Sequence, residues 1–224
     1  MRIGFPIFFI LVVSAIDVFG QNTNNINDKD SAYTRTITTR AEKIVATLGI
    51  SDSPKAKHIV SIIAGQYRDL NTVYAERDEQ IKSLKLKGLT KDATDDEIKN
   101  IGTVVDKKIE ALHAAFLSVL SSQLTPEQVT KVKDGMTYNV LNVTYTAFTD
   151  MIPNLTKEQK DQIMAWLVEA REHAMDAESS EKKHAWFGKY KGRINNYLSK
   201  QGYNVTEERK EWEKRKGLSQ PANN

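Results

Sequence analysis

Three internal prolines set the architecture open to this chain. From residue 31 onward apolar residues recur at helical spacing and strand-like alternation is scarce, and Pro54, Pro126 and Pro153 each fall where one helix ends or another begins. Ser53-Pro54 and Thr125-Pro126 read as a cap followed by proline, whose missing N–H would have had no helical partner anyway. Pro153 stops the helix before it. Thr94-Asp95-Asp96-Glu97 reads as a capping box, and Gly88 and Gly202 mark turns at 87–93 and 201–205. Helices are expected near 31–48, 54–86, 95–123, 126–151, 156–178 and 181–200. With no sheet to pack on, the expected fold is all-α, an up-and-down helical bundle of about six helices over 31–204. A charged C-terminal helix and tail follow at 205–224, with packing through Trp212 left open.

The N-terminus carries an address. Arg2, an apolar run from Ile3 to Ile16 and the small-residue exit Val18-Phe19-Gly20 read as a signal peptide over 1–20. The run is too short for a membrane span, so no stable membrane insertion is expected. Residues 21–30, QNTNNINDKD, read as a flexible leader. Cleavage is expected near Gly20/Gln21, which leaves a periplasmic or secreted protein. The chain has no cysteine, which excludes a bacterial lipid anchor, thiolate metal sites and a disulfide scaffold.

Charge narrows the partners. Lys and Arg number 32 against 29 Asp and Glu, and a net charge of +3 is too mild to imply nucleic acid. The four histidines form no HExxH, although Glu169 and His173 stand one turn apart, and no Gly-rich phosphate loop or G-x-S-x-G elbow occurs. No metal and no cofactor is expected.

Two patterns stand out before the C-terminal third. Ile59, Ile63, Tyr67, Leu70, Tyr74, Arg77 and Ile81 share one helical stripe with Gln66 beside it, so its polar tips need partners or water. Leu124-Thr125-Pro126-Glu127-Gln128 recurs as Leu155-Thr156-Lys157-Glu158-Gln159. In each, threonine can cap the new helix, glutamate faces the positive end of its dipole and glutamine reaches back to the cap. The pair resembles the LTxxQ signature of Spy-like periplasmic helical proteins, which implies chaperone or stress-regulator activity.

The chemistry concentrates in residues 171–197. Between Lys182 and Arg193 stand five cations, no anion, one histidine and three aromatics. Trp186, Tyr190, Ile194 and Tyr197 lie on one stripe, readable as core or as a binding surface. Gly188 and Gly192 each cost ~1 kcal/mol inside a helix relative to alanine, so a closely packed neighbour or a ligand near the backbone should offset them. Cations beside aromatics suit an anionic sugar, with rings stacking on rings and cations pairing with carboxylate or sulfate.

Lys133-Asp134-Gly135-Met136-Thr137-Tyr138, Met151-Ile152-Pro153, Ala170-Arg171-Glu172 with Ala174-Met175-Asp176, and His184 with Phe187-Gly188-Lys189-Tyr190-Lys191-Gly192-Arg193-Ile194-Asn195 resemble the DUF3826 family of exported Bacteroidetes-type proteins. The resemblance spans most of the chain and implies a place in the degradation of pectin- or ulvan-like polysaccharides. It brings no catalytic residues. Two classes of function follow. One is a metal-free dehydratase or β-eliminating lyase on uronic-acid oligosaccharides, with His184 as base, Tyr190 as acid and Lys189 with Arg193 as carboxylate clamp. Arg171, Lys133, Tyr138 and Trp186 are further substrate-binding candidates. The other is a non-catalytic protein, either a carbohydrate-binding accessory or a Spy-like chaperone. A homodimer stays open, because a dimer face and a core stripe read alike.

Overall fold

A computed structural model describes residues 20–217, and the side chains from residue 30 onward. The expected signal peptide, apart from Gly20, and the last seven residues lie outside the described residues. Eight helices and no strand occur among them: α1 Gly20–Val45, α2 Ser53–Lys85, α3 Lys91–Gln123, α4 Pro126–Met136, α5 Val140–Met151, α6 Lys157–Met175, α7 Ser180–Lys200 and α8 Val205–Arg215. The protein is all-α. Residues 21–30, read as a leader, form the first turns of α1. The chain divides into two compact units at Thr36–Ile37, the second running through α8.

Local signals place most helix starts. Thr125 and Thr156 each accept the backbone N–H three residues on, while Gln128 and Gln159 accept the N–H of their own cap residue. Both halves of the repeated pentapeptide are therefore true capping boxes. Two caps differ from the sequence reading. Asp52 rather than Ser53 caps α2 through Lys55 N, and Thr90 rather than Thr94 caps α3 through Ala93 N. Thr94 lies inside that helix and bonds back to the Thr90 carbonyl.

The expected single helix 126–151 is two helices. Tyr138 and Asn139 both adopt φ 57°, and Asn139 N bonds to Asp134 O at 2.7 Å, which breaks the helical ladder and re-aims the chain into α5. Among the described residues seven helices thus stand where about six were expected, and α8 follows them. Gly135 precedes this break. A Cβ there would stand 2.7 Å from Ile44 Cγ1, so glycine lets α4 close onto α1.

α2 and α3, 33 residues each, pair as a hairpin about 50 Å long. The stripe on α2 finds its partners at the end of α6: Tyr74 donates to the Asp176 carbonyl at 2.8 Å and Arg77 pairs with Glu178 at 2.6 Å. The main core is built from Leu141, Phe148 and Met151 of α5, Ile163 and Leu167 of α6, and Phe187, Ile194 and Leu198 of α7. The C-terminal helix is not loose. Trp212 packs on this core and Arg215 donates to the carbonyls of Asp150 and Met151, closing the end of α5.

Candidate functional site

α6 and α7 run antiparallel, joined by a short turn in which Ser179 caps α7 through Lys182 N. Their apolar faces enter the core, which brings a second pair of stripes together at the surface. Trp166, Glu169 and His173 of α6 stand at helical spacing and meet Trp186, Tyr190, Arg193 and Tyr197 of α7. Trp166 packs edge-on against Tyr197 at 5.2 Å, and the Arg193 guanidinium lies over the Trp166 ring at 4.6 Å. Arg193 also reaches Glu169 at 3.4 Å. His173 stacks on Trp186 at 4.4 Å, and Lys189 sits over the same indole at 4.9 Å.

A groove of about 540 Å³ opens along this seam, lined by Trp166, Lys189, Gly192, Arg193, Asn196, Tyr197 and Lys200. Its four long polar side chains recur on one face of α7. A Cβ at Gly192 would meet nothing within 4 Å, so no neighbouring helix demands that glycine, and it leaves bare backbone in the groove. Tyr190 is only 4% exposed. Burial pushes its phenol up to about 12, helped by a hydrogen bond to Glu169 and that carboxylate's charge.

A second cluster of charges lies where α2, α3, α4, α6 and α7 converge on the C-terminal end of α6. Arg171 is buried and donates to Asp134 at 2.8 Å and to Glu172 at 3.2 Å, while Lys133 bonds Glu172 at 2.7 Å. His113 Nδ1 meets Asp176 at 2.7 Å, and this bond holds the imidazole above its ordinary pKa despite burial. Lys183 donates to the carbonyls of Ala174 and Met175 at 2.8 and 2.6 Å, filling the open end of α6. Burial lowers its ammonium to about 8, against the pull of Asp176 and with a smaller push from Arg40. Burial likewise raises Tyr74 to about 12, reinforced by Glu178 and Asp176. Asp176 Oδ1 is buried without a partner among the described residues.

The sequence-derived candidates therefore separate into three places. Lys189, Arg193, Tyr190 and Trp186 meet at the seam. Lys133 and Arg171 belong to the ionic junction, tied to carboxylates. His184 stands nine residues from Arg193, half-way round α7 at about 100° per residue, so the structure does not bring the base candidate to the clamp. It bonds the Ser180 carbonyl at 2.7 Å and stacks on Tyr138 at 5.6 Å between centroids. The sequence reading missed Trp166 as a partner and noted Glu169 and His173 only for their one-turn spacing, without giving them a role. Among the described residues no group of three His, Asp or Glu could hold a metal, and Glu169 turns to Arg193 while His173 turns to Trp186. Their i, i+3, i+7 spacing was the available signal.

A family model described as a protein of unknown function (DUF3826) matches residues 34–217. No curated protein matches the chain. Among the described residues no helix is long and apolar enough to cross a membrane.

Proposed function

We propose that this chain, which belongs to the DUF3826 family, is an exported protein of polysaccharide degradation that takes uronic-acid-containing oligosaccharides into the α6/α7 groove and eliminates across their C4–C5 bond without a metal. The observation that carries this reading is Arg193, held over Trp166 at 4.6 Å and beside Glu169 at 3.4 Å in an open groove floored by Gly192. Stacking faces and cations in one shallow trough suit an acidic pyranose chain.

The chemistry follows from those groups. Arg193 and Lys189 pair with the uronate carboxylate and make the C5–H acidic by neutralising the developing enolate. Glu169 takes that proton, since it stands beside the clamp, 3.4 Å from Arg193, whereas His184 lies half-way round α7. The C4–oxygen bond breaks, and Tyr190 supplies a proton to the departing oxygen. A free 4-hydroxyl leaves as water, and a glycosidic oxygen leaves as the new chain end. The Tyr190–Glu169 hydrogen bond lets the proton gained by Glu169 pass to the phenolate, which restores both groups.

The test is incubation of the purified full chain with pectin and ulvan oligosaccharides, following ultraviolet absorbance of a new conjugated double bond and product masses. Turnover lost in Glu169→Gln with binding kept supports elimination in the groove. Binding that needs Arg193 but yields no product leaves a carbohydrate-binding accessory. Suppression of aggregation of an unfolded client, with no sugar bound, supports the chaperone reading and overturns both.

A further inference from the structure

The Tyr138–His184 pair lies outside the groove, and nothing in the fold accounts for it. Tyr138 holds a left-handed backbone at φ 57°, a conformation that an aromatic residue adopts at a cost and that glycine or asparagine adopts more cheaply. The cost secures no burial. The side chain is 44% exposed and its hydroxyl has no hydrogen-bond partner among the described residues. What the strained turn does is lay the phenol ring against the imidazole of His184, with 21° between planes.

His184 is fixed in turn. Its Nδ1 donates to the Ser180 carbonyl, which can only accept, so Nε2 points away from the helix backbone. One turn further along this face of α7 comes Gly188, whose added Cβ would meet nothing within 4 Å. Lys191 is exposed on the same face, and beyond it Asn195 keeps Oδ1 buried with no partner among the described residues. The two glycines of α7 stand one turn apart, about 40° round the helix, along the edge between the two faces. Gly192 bares the backbone in the groove, and Gly188 bares it beside the Tyr138–His184 platform.

We propose that Tyr138 and His184 form a second sugar-stacking subsite, on the opposite side of α7 from the groove, which receives an acidic pyranose on its rings with Gly188 leaving room and Lys191 meeting the carboxylate. The inference rests on the reading that the ligand is a uronic-acid oligosaccharide. It adds a separate place on the molecule where such a chain is held.

The test is a titration of the full chain with trigalacturonate, followed by calorimetry and by the NMR signals of the histidine rings. Two binding events are expected, one of which shifts the His184 ring. Tyr138→Asn keeps a residue suited to the left-handed turn, so its thermal midpoint should not fall, while affinity at that event drops about tenfold, the equivalent of one stacking contact. Tyr138→Phe should restore it. If Tyr138→Asn leaves both events and the His184 shift unchanged, the subsite is wrong and the groove stands. If Tyr138→Asn removes an event while Arg193→Ala removes none, the subsite stands and the groove reading falls. No binding in the wild type overturns both.

Discussion

The ionic junction at the end of α6 and the seam along α6 and α7 use the same residue types in opposite ways. At the junction Arg171, Lys133, His113 and Lys183 are shielded from water, and each is engaged by carboxylates or carbonyls. At the seam Arg193 is half-exposed, its contact with Glu169 is 3.4 Å long, and its flat face lies on Trp166. Buried charges that satisfy one another set which helices meet and leave little for a ligand. Exposed cations over aromatic rings contribute little to stability and leave donors pointing at solvent. Charge type alone therefore does not mark a site; what matters is whether the charge already has a partner.

The contrast can be broken most severely at Arg171. Arg171→Ala leaves Asp134 and Glu172 facing a void, and should lower the unfolding free energy by about 3–5 kcal/mol in a denaturant titration. Unchanged stability would remove the junction's structural role.

Lys183 and His113 give the junction a pH signature of two signs. Lys183 has a folded pKa of about 8, below its ordinary 10.5, so the folded state binds fewer protons than the unfolded chain between those values. Stability should rise with pH through that window, by on the order of 2–3 kcal/mol. His113 is raised, so its contribution is complete below the ordinary 6.5 and is lost as pH climbs through the folded value. Chemical denaturation between pH 5 and pH 10 should show a fall and then a rise. Lys183→Met should flatten the rise and His113→Gln the fall.

The smallest effects sharpen the contrast through glycine. Gly135→Ala drives a methyl onto Ile44 and should cost about 1–3 kcal/mol. Gly192→Ala meets empty space and should add ~1 kcal/mol of stability, read as a higher thermal midpoint, while weakening oligosaccharide binding. A destabilising Gly192→Ala would deny the groove its stated reason for that residue.

Some of this was legible in the sequence and some was not. Both LTxxQ caps form as read, because a threonine and a glutamine three residues apart need only their own helix to meet. The split of 126–151 was missed: Asn139 carries a left-handed turn signal that was not read, and Tyr138 beside it, at the same φ, carries none. Trp186, Lys189, Tyr190 and Arg193 could be picked from one dense segment, yet Trp166 and Glu169 could not be assigned to them. Their meeting depends on the antiparallel register of α6 on α7, set by core residues such as Leu167 and Ile194. Lys183 shows the opposite failure. It reads as one of five cations between Lys182 and Arg193 and is in fact 6% exposed.

The sequence by itself determined that the chain is helical, where most helices start, that cations and aromatics crowd residues 182–197 and that it resembles its family, since periodicity, caps and motifs act within one helix or one segment. Only the tertiary structure decided which cations are engaged, which face a groove, and which glycine admits a neighbour. Those outcomes depend on which helix faces are shut into the core, and that follows from how all the apolar stripes pack together at once.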